Sequence, residues 1–448
     1  MTVLLVSTYE LGRQPFGLAS PAAWLEREGH RVICADLAIE SLPDERIRAA
    51  DAVAFFLPMH TATRLATPAI ERVRRVNPHA RLACYGLYAS MNAELLRRLG
   101  VEAILGGEFE TGLTRFARGE KPEEVSLERL EFVVPQRSGL PDLTRYAKLT
   151  YNGSKKLVGY TEASRGCKHL CRHCPVVPVY QGQFRIVQRD VVLADVRQQV
   201  EAGATHITFG DPDFFNGPKH GMEIVRALRA EFPGLTYDVT IKIEHLLKRR
   251  DLLPALKETG CLFVTSAVES VDDEILAKLE KNHTRRDVLQ AAALMREAGL
   301  HFAPTFIPFT PWTTLSGYRD LLKTIADLEL IGHVAPVQLA LRLLVTAGSR
   351  LLELDELRGF LSEFDPRALV YPWKHPDPEM DRLAEDAFRV VNEEQGKGRT
   401  REEIFAALWR LAYRAEPPAS NRSNVPVPYL DEPWYCCAEP APSRGAVV

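Results

Sequence analysis

The sequence predicts an α/β protein: a doubly wound parallel sheet, then a six-unit partial barrel, then a C-terminal helical segment with an extended tail. Three observations predict it. Five short apolar runs separated by helical stretches fill residues 1–118. Six more alternate with helices between about 155 and 345. Beyond about 365 the alternation stops, two helical stretches follow, and the chain turns proline-rich.

The first series reads "TVLLVST", "HRVICADLA", "AVAFFLP", "ARLACYGLY" and "VEAILGGE". Helical segments such as "ATPAIERVRRV" and "NAELLRRLG" separate the runs. Apolar runs of this length without alternation suit parallel strands covered by helices on both faces. Ligands in such sheets bind beyond the carboxyl ends of the strands, so the loops there are of interest. Residues 119–150 mix charges, prolines and short apolar pieces and read as a linker or wrapping segment. The second series reads "KKLVGYTEAS", "THITFGD", "TYDVTIK", "CLFVTSAVE", "HFAPTFIPF" and "PVQLALRLLV". Six β/α units suit a (β/α)6 partial TIM barrel. Near the C-terminus, "EMDRLAEDAFRVVNEEQ" and "REEIFAALWRLAYR" are helical, and Thr400 with Glu403 forms a capping box for the second. The expected boundaries are 1–125 for the Rossmann-like domain, 126–150 for the linker, 151–365 for the barrel, and 366–448 for the C-terminal segment and tail.

Composition narrows the partners. Hydrophobic residues make up 46% and charged residues 26% of the 448, and the formal net charge is -3. That charge gives no reason to expect nucleic acid. No apolar run is long enough to span a membrane, and the N-terminus lacks a basic, cleavable leader, so the expectation is a cytoplasmic chain without a membrane partner. Eight unevenly spaced cysteines in a chain of this size favour metal binding or catalysis over a disulfide framework.

Three of the eight crowd into "RGCKHLCRHCP": Cys167, Cys171 and Cys174, after the first strand of the second series. Three close thiolates can hold three irons of a four-iron cube and leave the fourth iron open to a small molecule. The alternative is zinc, with His169 or His173 completing the ligand set.

The C-x3-C-x2-C spacing resembles the radical S-adenosylmethionine (SAM) superfamily. The resemblance implies a [4Fe–4S] cluster on Cys167, Cys171 and Cys174, SAM on the open iron, and an electron donor such as flavodoxin or ferredoxin. It also implies cofactor-binding residues at later strand ends: Gly210, Asp211 and Pro212 after the second strand, Thr240, Lys242 and Glu244 after the third, and Glu269 and Ser270 after the fourth. "TFGDPDF" departs from a plain Gly-Gly-Glu motif. Substrate candidates at the barrel mouth are Tyr180, Gln183, Arg185 and Arg342. The first domain resembles the cobalamin-binding type, and "LGGEFETGL" (Gly106, Gly107, Glu108, Glu110) resembles the segment that ends such domains. Cobalamin is therefore a candidate cofactor. No D-x-H-x-x-G occurs, so no axial histidine is assigned, and His60 after the third strand either faces a ligand or is an ordinary loop histidine.

The tail "WYCCAEP" resembles the CUAEP/CCAEP-tail radical SAM proteins, related to the arsinothricin-biosynthesis enzyme. That resemblance implies transfer of a SAM-derived carbon group, the 3-amino-3-carboxypropyl group foremost, to a soft acceptor such as arsenite held by Cys436 and Cys437. Cobalamin-dependent methylation of a small molecule is the second reading. A non-enzymatic iron–sulfur redox or metalloid-binding protein is the third.

Overall fold

The computed structural model describes residues 1–417 and 426–432. Cys436 and Cys437 lie outside the described residues. The first sheet contains β1 (Thr2–Ser7), β2 (Arg31–Asp36), β3 (Ala52–Phe56), β4 (Arg81–Tyr85), β5 (Ala103–Gly107) and the two-residue β6 (Val125–Ser126). All pairings are parallel, in the order β2-β1-β3-β4-β5-β6. The two faces carry separate apolar cores, one built on Leu4, Val6, Val53 and Phe55, the other on Val3, Leu5, Ala54 and Phe56. This is why the strand sequences read as unbroken apolar runs. The chain reverses its winding at β1/β3, which makes the carboxyl ends of those strands the crevice of this sheet.

The second sheet contains β7 (Lys148–Tyr151), β8 (Ser154–Thr161), β11 (His206–Phe209), β12 (Thr236–Thr240), β13 (Cys261–Glu269), β14 (His301–Phe306) and β15 (Tyr429–Leu430). Its order is β14-β13-β12-β11-β8-β7-β15. A separate small hairpin pairs β9 (Ser164–Gly166) with β10 (Phe184–Ile186). From β8 through β14 the main strands are parallel, while β7 is antiparallel to both β8 and β15. The sheet curls so that Ile207, Phe209, Val239, Val264, Phe302 and Phe306 join the core under the outer helices. By strand alternation His206, Thr208, Asp238, Thr240, Thr265 and Thr305 face the concave side.

One segment differs from expectation, and two others show how the sheets are held. The sixth barrel run, "PVQLALRLLV", forms a short 3-10 turn at Pro336–Leu339 and only an isolated bridge between Phe309 and Arg342. Pro336 opens that turn, and proline donates no hydrogen bond to a ladder. The linker is packed: its Arg137 is buried, donates to both carboxylate oxygens of Asp195 at 2.6 and 2.9 Å, and also reaches Gln14 and the Tyr160 carbonyl. The extended C-terminal stretch returns to the sheet as β15, where Asp431 holds Thr150 and Lys155. The two C-terminal helices, Pro378–Gly396 and Arg401–Tyr413, pack into the barrel's own core, and the Thr400–Glu403 capping box is formed.

Candidate active site

After β8 the chain turns through Glu162 and Ala163 into β9, and the loop from Cys167 to Gln183 is the excursion of the β9–β10 hairpin. Gly166 ends β9 with φ +76°, and a Cβ there would lie 2.5 Å from the Gln183 carbonyl, so only glycine fits the start of the loop. Cys167 and Cys171 are buried, Cys174 is half-buried, and none of the three is in a disulfide. Burial pushes the Cys167 thiol up to about 11. Such a thiol yields its proton when a metal replaces it. The Lys242 ammonium donates to the Cys171 sulfur at 3.5 Å, placing a buried positive charge where thiolate ligation needs one. Three such thiols on one loop, with a cation beside them, fit an iron–sulfur cluster.

Neighbouring strand ends hold this loop. Asn216 accepts from the Lys168 N–H at 3.2 Å and donates to the Gly166 carbonyl at 3.4 Å. Asp211 accepts from Ala163 N–H and Ser164 Oγ at 2.9 and 2.5 Å, fixing the turn into β9. Burial raises its carboxyl to about 7 despite those bonds. Gly210 makes room for the Tyr160 hydroxyl, which would stand 1.9 Å from a Cβ. Glu269 has φ +70° at a bulge of β13, and its carboxylate sits 3.2 Å from His173 Nε2 and 3.3 Å from Lys281 Nζ. Burial opposes its ionisation, but Lys281 and His173 outweigh it and pull the carboxyl down to about 2. Ser270 accepts from Asp272 N–H and shapes the turn after β13.

A second polar group stands beside Cys167. The Asp213 carboxylate lies 2.6 Å from His245 Nδ1 and 3.4 Å from His169 Nε2, both poorly aligned for hydrogen bonds, and Glu244 lies 3.5 Å from His169 Nδ1. Burial opposes ionisation of Asp213, but the two imidazoles hold its carboxyl below the usual range. Ligand atoms of Cys167, His169 and Asp213 lie within 4.8 Å of one another. A zinc ion there would share Cys167 with the thiol trio, so the two kinds of metal exclude each other. His173, the other zinc candidate, is committed to Glu269.

The carboxyl edge of the first sheet docks directly on the cluster loop. Arg165, two residues before Cys167, is buried against Glu108 at 3.3 Å, Glu110 at 2.8 Å and Glu162 at 2.7 Å, within cation–π range of Phe109 and Phe132. The Tyr180 hydroxyl donates to Glu108 at 2.9 Å. Leu87, just after β4, and Cys174 both pack against the group of Val176, Val179 and Tyr180.

These placements correct part of the substrate assignment. Tyr180 faces Glu108 of the first sheet, Arg185 donates to the Leu127 carbonyl and to Gln183, and Gln183 is exposed beside it. Tyr180 and Arg185 therefore dock the hairpin on the first domain. Arg342 stacks on Trp373 at 4.0 Å and pairs with Asp381 at 3.0 Å, which ties the post-barrel segment to the C-terminal helix. His60 is buried with Nε2 2.6 Å from the Ala368 carbonyl, and burial lowers its pKa to about 4. It fastens the 365–370 turn over β3. Of the cofactor candidates, Thr240 and Lys242 face the concave side near the cluster loop, whereas Asp211 and Glu269 are engaged in positioning it. Sequence reasoning missed Asn216, Asp213, His245 and Arg165, which act only through the folded contacts.

Residues 161–325 match the Radical SAM superfamily. They form a radical SAM domain. A hopanoid C-3 methylase of Methylococcus capsulatus is 25% identical over 334 residues, covering 69% of this chain and 64% of that protein. The ribosomal protein uS12 methylthiotransferase RimO of Geobacter sulfurreducens is 24% identical over 220 residues, 45% of this chain and 49% of its own length. The chain thus spans about half to two thirds of these curated relatives. Among solved structures, the cobalamin-dependent SAM radical enzyme OxsB, with aqua-cobalamin and SAM bound, superposes with TM-score 0.64 at 15% identity, covering 88% of this chain and 67% of that one. The radical SAM methyltransferase TsrM of Kitasatospora setae, with tryptophan and a SAM analogue bound, gives TM-score 0.60 at 17% identity over 80% of this chain and 76% of its own. At these identities the likeness is one of fold. No helix among the described residues is long and apolar enough to cross a membrane.

Proposed function

We propose that this enzyme holds a [4Fe–4S] cluster on Cys167, Cys171 and Cys174, cleaves SAM, and transfers a SAM-derived methyl group to a small molecule, with cobalamin against the carboxyl edge of the first sheet. The observation that carries this reading is the buried thiol loop pinned between two sheets, its Arg165 anchored on Glu108 and Glu110 of the first. When bound, the cluster supplies the electron that breaks a sulfonium carbon–sulfur bond, and cobalamin supplies a methyl carrier. The methylase and methylthiotransferase relatives support one-carbon chemistry.

This chain's residues have the tasks of binding, orientation and water exclusion. Lys242 offers a fixed positive charge beside Cys171 for the carboxylate of SAM, and Thr240 a hydroxyl on the concave face two residues away. Glu269, with His173 and Lys281, and Asp211, with Ser164, keep the loop in one geometry. A cobalamin here would be held without histidine, because His60 is bonded to Ala368. The reductant is a small redox protein of the flavodoxin or ferredoxin kind.

A second reading keeps the soft-acceptor chemistry: transfer of the 3-amino-3-carboxypropyl group to arsenite held by Cys436 and Cys437. What favours it is the anchoring of β15 on the sheet and of Glu432, which accepts from Tyr9 at 2.6 Å four positions before Cys436. One experiment separates the readings. Anaerobically reconstituted enzyme is assayed for iron, zinc and the fate of SAM. Methyl transfer releases S-adenosylhomocysteine, whereas aminocarboxypropyl transfer releases methylthioadenosine, lost on Cys437→Ser. Stoichiometric zinc without iron, or iron without any SAM cleavage, would sink both enzyme readings. Alanine at any of Cys167, Cys171 or Cys174 should remove the iron chromophore and the cleavage together.

A further inference from the structure

We infer that residues 361–373 form a latch over the ligand crevice of the first sheet, which swings aside to let the cofactor of that sheet enter and then closes over it. This rests on the functional reading above, in which that cofactor is cobalamin, and adds the step that admits it. The topology sets the place. The winding reverses at β1/β3, so the carboxyl ends of those strands mark where an open α/β sheet takes its ligand. The loop after β1 bounds one side, where Thr8 Oγ1 donates to the Ala62 carbonyl at 2.7 Å. His60 opens the helix that follows β3 on the other side. Its Nε2 donates to the Ala368 carbonyl at 2.6 Å, so a segment from beyond the barrel covers this edge.

That segment is built as an arm. Bridges between Leu361 and Trp373 and between Asp365 and Val370 make it an antiparallel hairpin. Its root is fixed to the barrel: Trp373 is buried, donates from Nε1 to the Leu343 carbonyl at 2.8 Å and carries Arg342 on its ring. Its tip is tightly wound, since the Asp365 carboxylate accepts from the Arg367 and Ala368 N–H groups at 2.8 and 3.1 Å. Between root and tip, Ser362, Glu363 and Pro372 are exposed. Apart from Trp373, only Leu369 and Val370 of the arm are buried. Leu369 holds φ +59°, a left-handed conformation that is costly for a residue with a side chain. Strain of this kind persists only while the surrounding contacts enforce it, and it is released when they part. The tip is seated by the His60 bond and two apolar side chains, with the Arg64 charge near Asp365. So few buried contacts make it cheaper to open than the strands beneath it. Root and tip rest on different sheets, and the exposed stretch between them is where the arm bends.

The test uses full-length, anaerobically reconstituted enzyme with hydroxocobalamin as the probe. Stopped-flow absorbance should give a binding rate that levels off as cobalamin is raised, the mark of an opening step before binding. His60→Ala removes the bond at the tip and should raise that plateau about fivefold, the scale of one lost hydrogen bond. Leu369→Ala should raise it at least as much, and Glu363→Ala, on the exposed side of the arm, should leave it unchanged. Replacing residues 363–370 by two glycines removes the tip, and the rate should then stay linear in cobalamin. Hydrogen–deuterium exchange should show that cobalamin slows exchange of the 364–371 amides. Iron content and circular dichroism report folding of each variant, and the shortened arm decides the matter if a point variant proves unstable. A wild-type rate linear in cobalamin, a plateau that none of the tip variants moves, or exchange at 364–371 that ignores cobalamin overturns the latch and leaves cobalamin binding intact. Failure of every form, the shortened arm included, to bind hydroxocobalamin would instead defeat the cobalamin reading, and the latch with it.

Discussion

Replacing Arg165 with methionine should destabilise the junction between the two sheets more than any surface substitution. The side chain is 7% exposed, and the carboxylates of Glu108 and Glu110 are fully buried. Its removal leaves three carboxylates facing one another with no cation within reach. Breaking a buried ion pair from one side costs about 3–5 kcal/mol, because the remaining charge stays desolvated. At roughly 2–4 °C per kcal/mol for a cooperative unit of this size, Tm should fall by roughly 6–20 °C. The deficit should depend on pH in a defined direction. Burial, with Arg165 opposing it, already raises Glu108 to about 7, above its ordinary value. A carboxyl raised by folding stabilises the fold when protonated, below its unfolded pKa, and loses that contribution as pH rises through the folded value. Without Arg165 the folded value rises further, so the variant should be worst near about pH 8 and recover towards about pH 5.

Thermal melts by circular dichroism at both pH values provide the assay, with iron retention as a second readout because Arg165 sits two residues before Cys167. The triple variant Arg165→Met, Glu108→Gln, Glu110→Gln removes two of the stranded charges and should regain about half of the lost Tm. A single variant melting within about 2 °C of wild type at pH 8 would refute the reasoning. So would a deficit that grows on acidification.

Lys242→Met removes the cation beside Cys171 and should lower the cluster's midpoint potential by on the order of 50 mV, with iron content unchanged and Lys242→Arg near wild type, as read by electron paramagnetic resonance titration. Asp211→Asn mimics the protonated acid; because burial raises Asp211 to about 7, wild type should lose stability relative to this variant as pH rises from about 5 to 8, and melts that run parallel would count against that assignment. His60→Ala removes the bond to the Ala368 carbonyl and should cost about 1 kcal/mol, while the spectrum of cobalamin-loaded protein stays unchanged and free of histidine coordination; loss of an axial nitrogen signal would show that His60 is a ligand after all.

Local patterns in the sequence carried the elements further than the site. Strand runs such as "TVLLVST" and the Thr400–Glu403 box depend on neighbours within a few residues, and they form in the structure where the pattern puts them. The three-thiol loop was equally legible, since its spacing is itself the signal. Tyr180, Gln183 and Arg185 misled because they follow the cluster loop in the chain, while the β9–β10 hairpin turns them back onto the first sheet. "PVQLALRLLV" has strand composition, yet its proline and the packing of the C-terminal helices keep it out of the ladder. Arg165 carried no sequence signal, because its three carboxylates come from two segments more than fifty residues apart.

The position of the cluster loop is therefore set by contacts that the loop does not contain. Arg165 and Tyr180 bind it to Glu108 and Glu110 at the end of β5. Asn216 and Lys242 hold it from the ends of β11 and β12. Arg350 reaches the Leu170 carbonyl and Glu280, while Ser349 donates to the Arg172 carbonyl, both from the post-barrel segment. That same post-barrel segment accepts His60 at Ala368, over the end of β3. One stretch of chain thus spans from the crevice of the first sheet to the outer rim of the thiol loop. The end of the first sheet meets the thiol loop directly through Arg165 and Tyr180, so a change at either should be felt at the other. Motif spacing marks the thiol loop, whereas the residues that hold it, such as Arg165 and Asn216, are brought to it only by the fold.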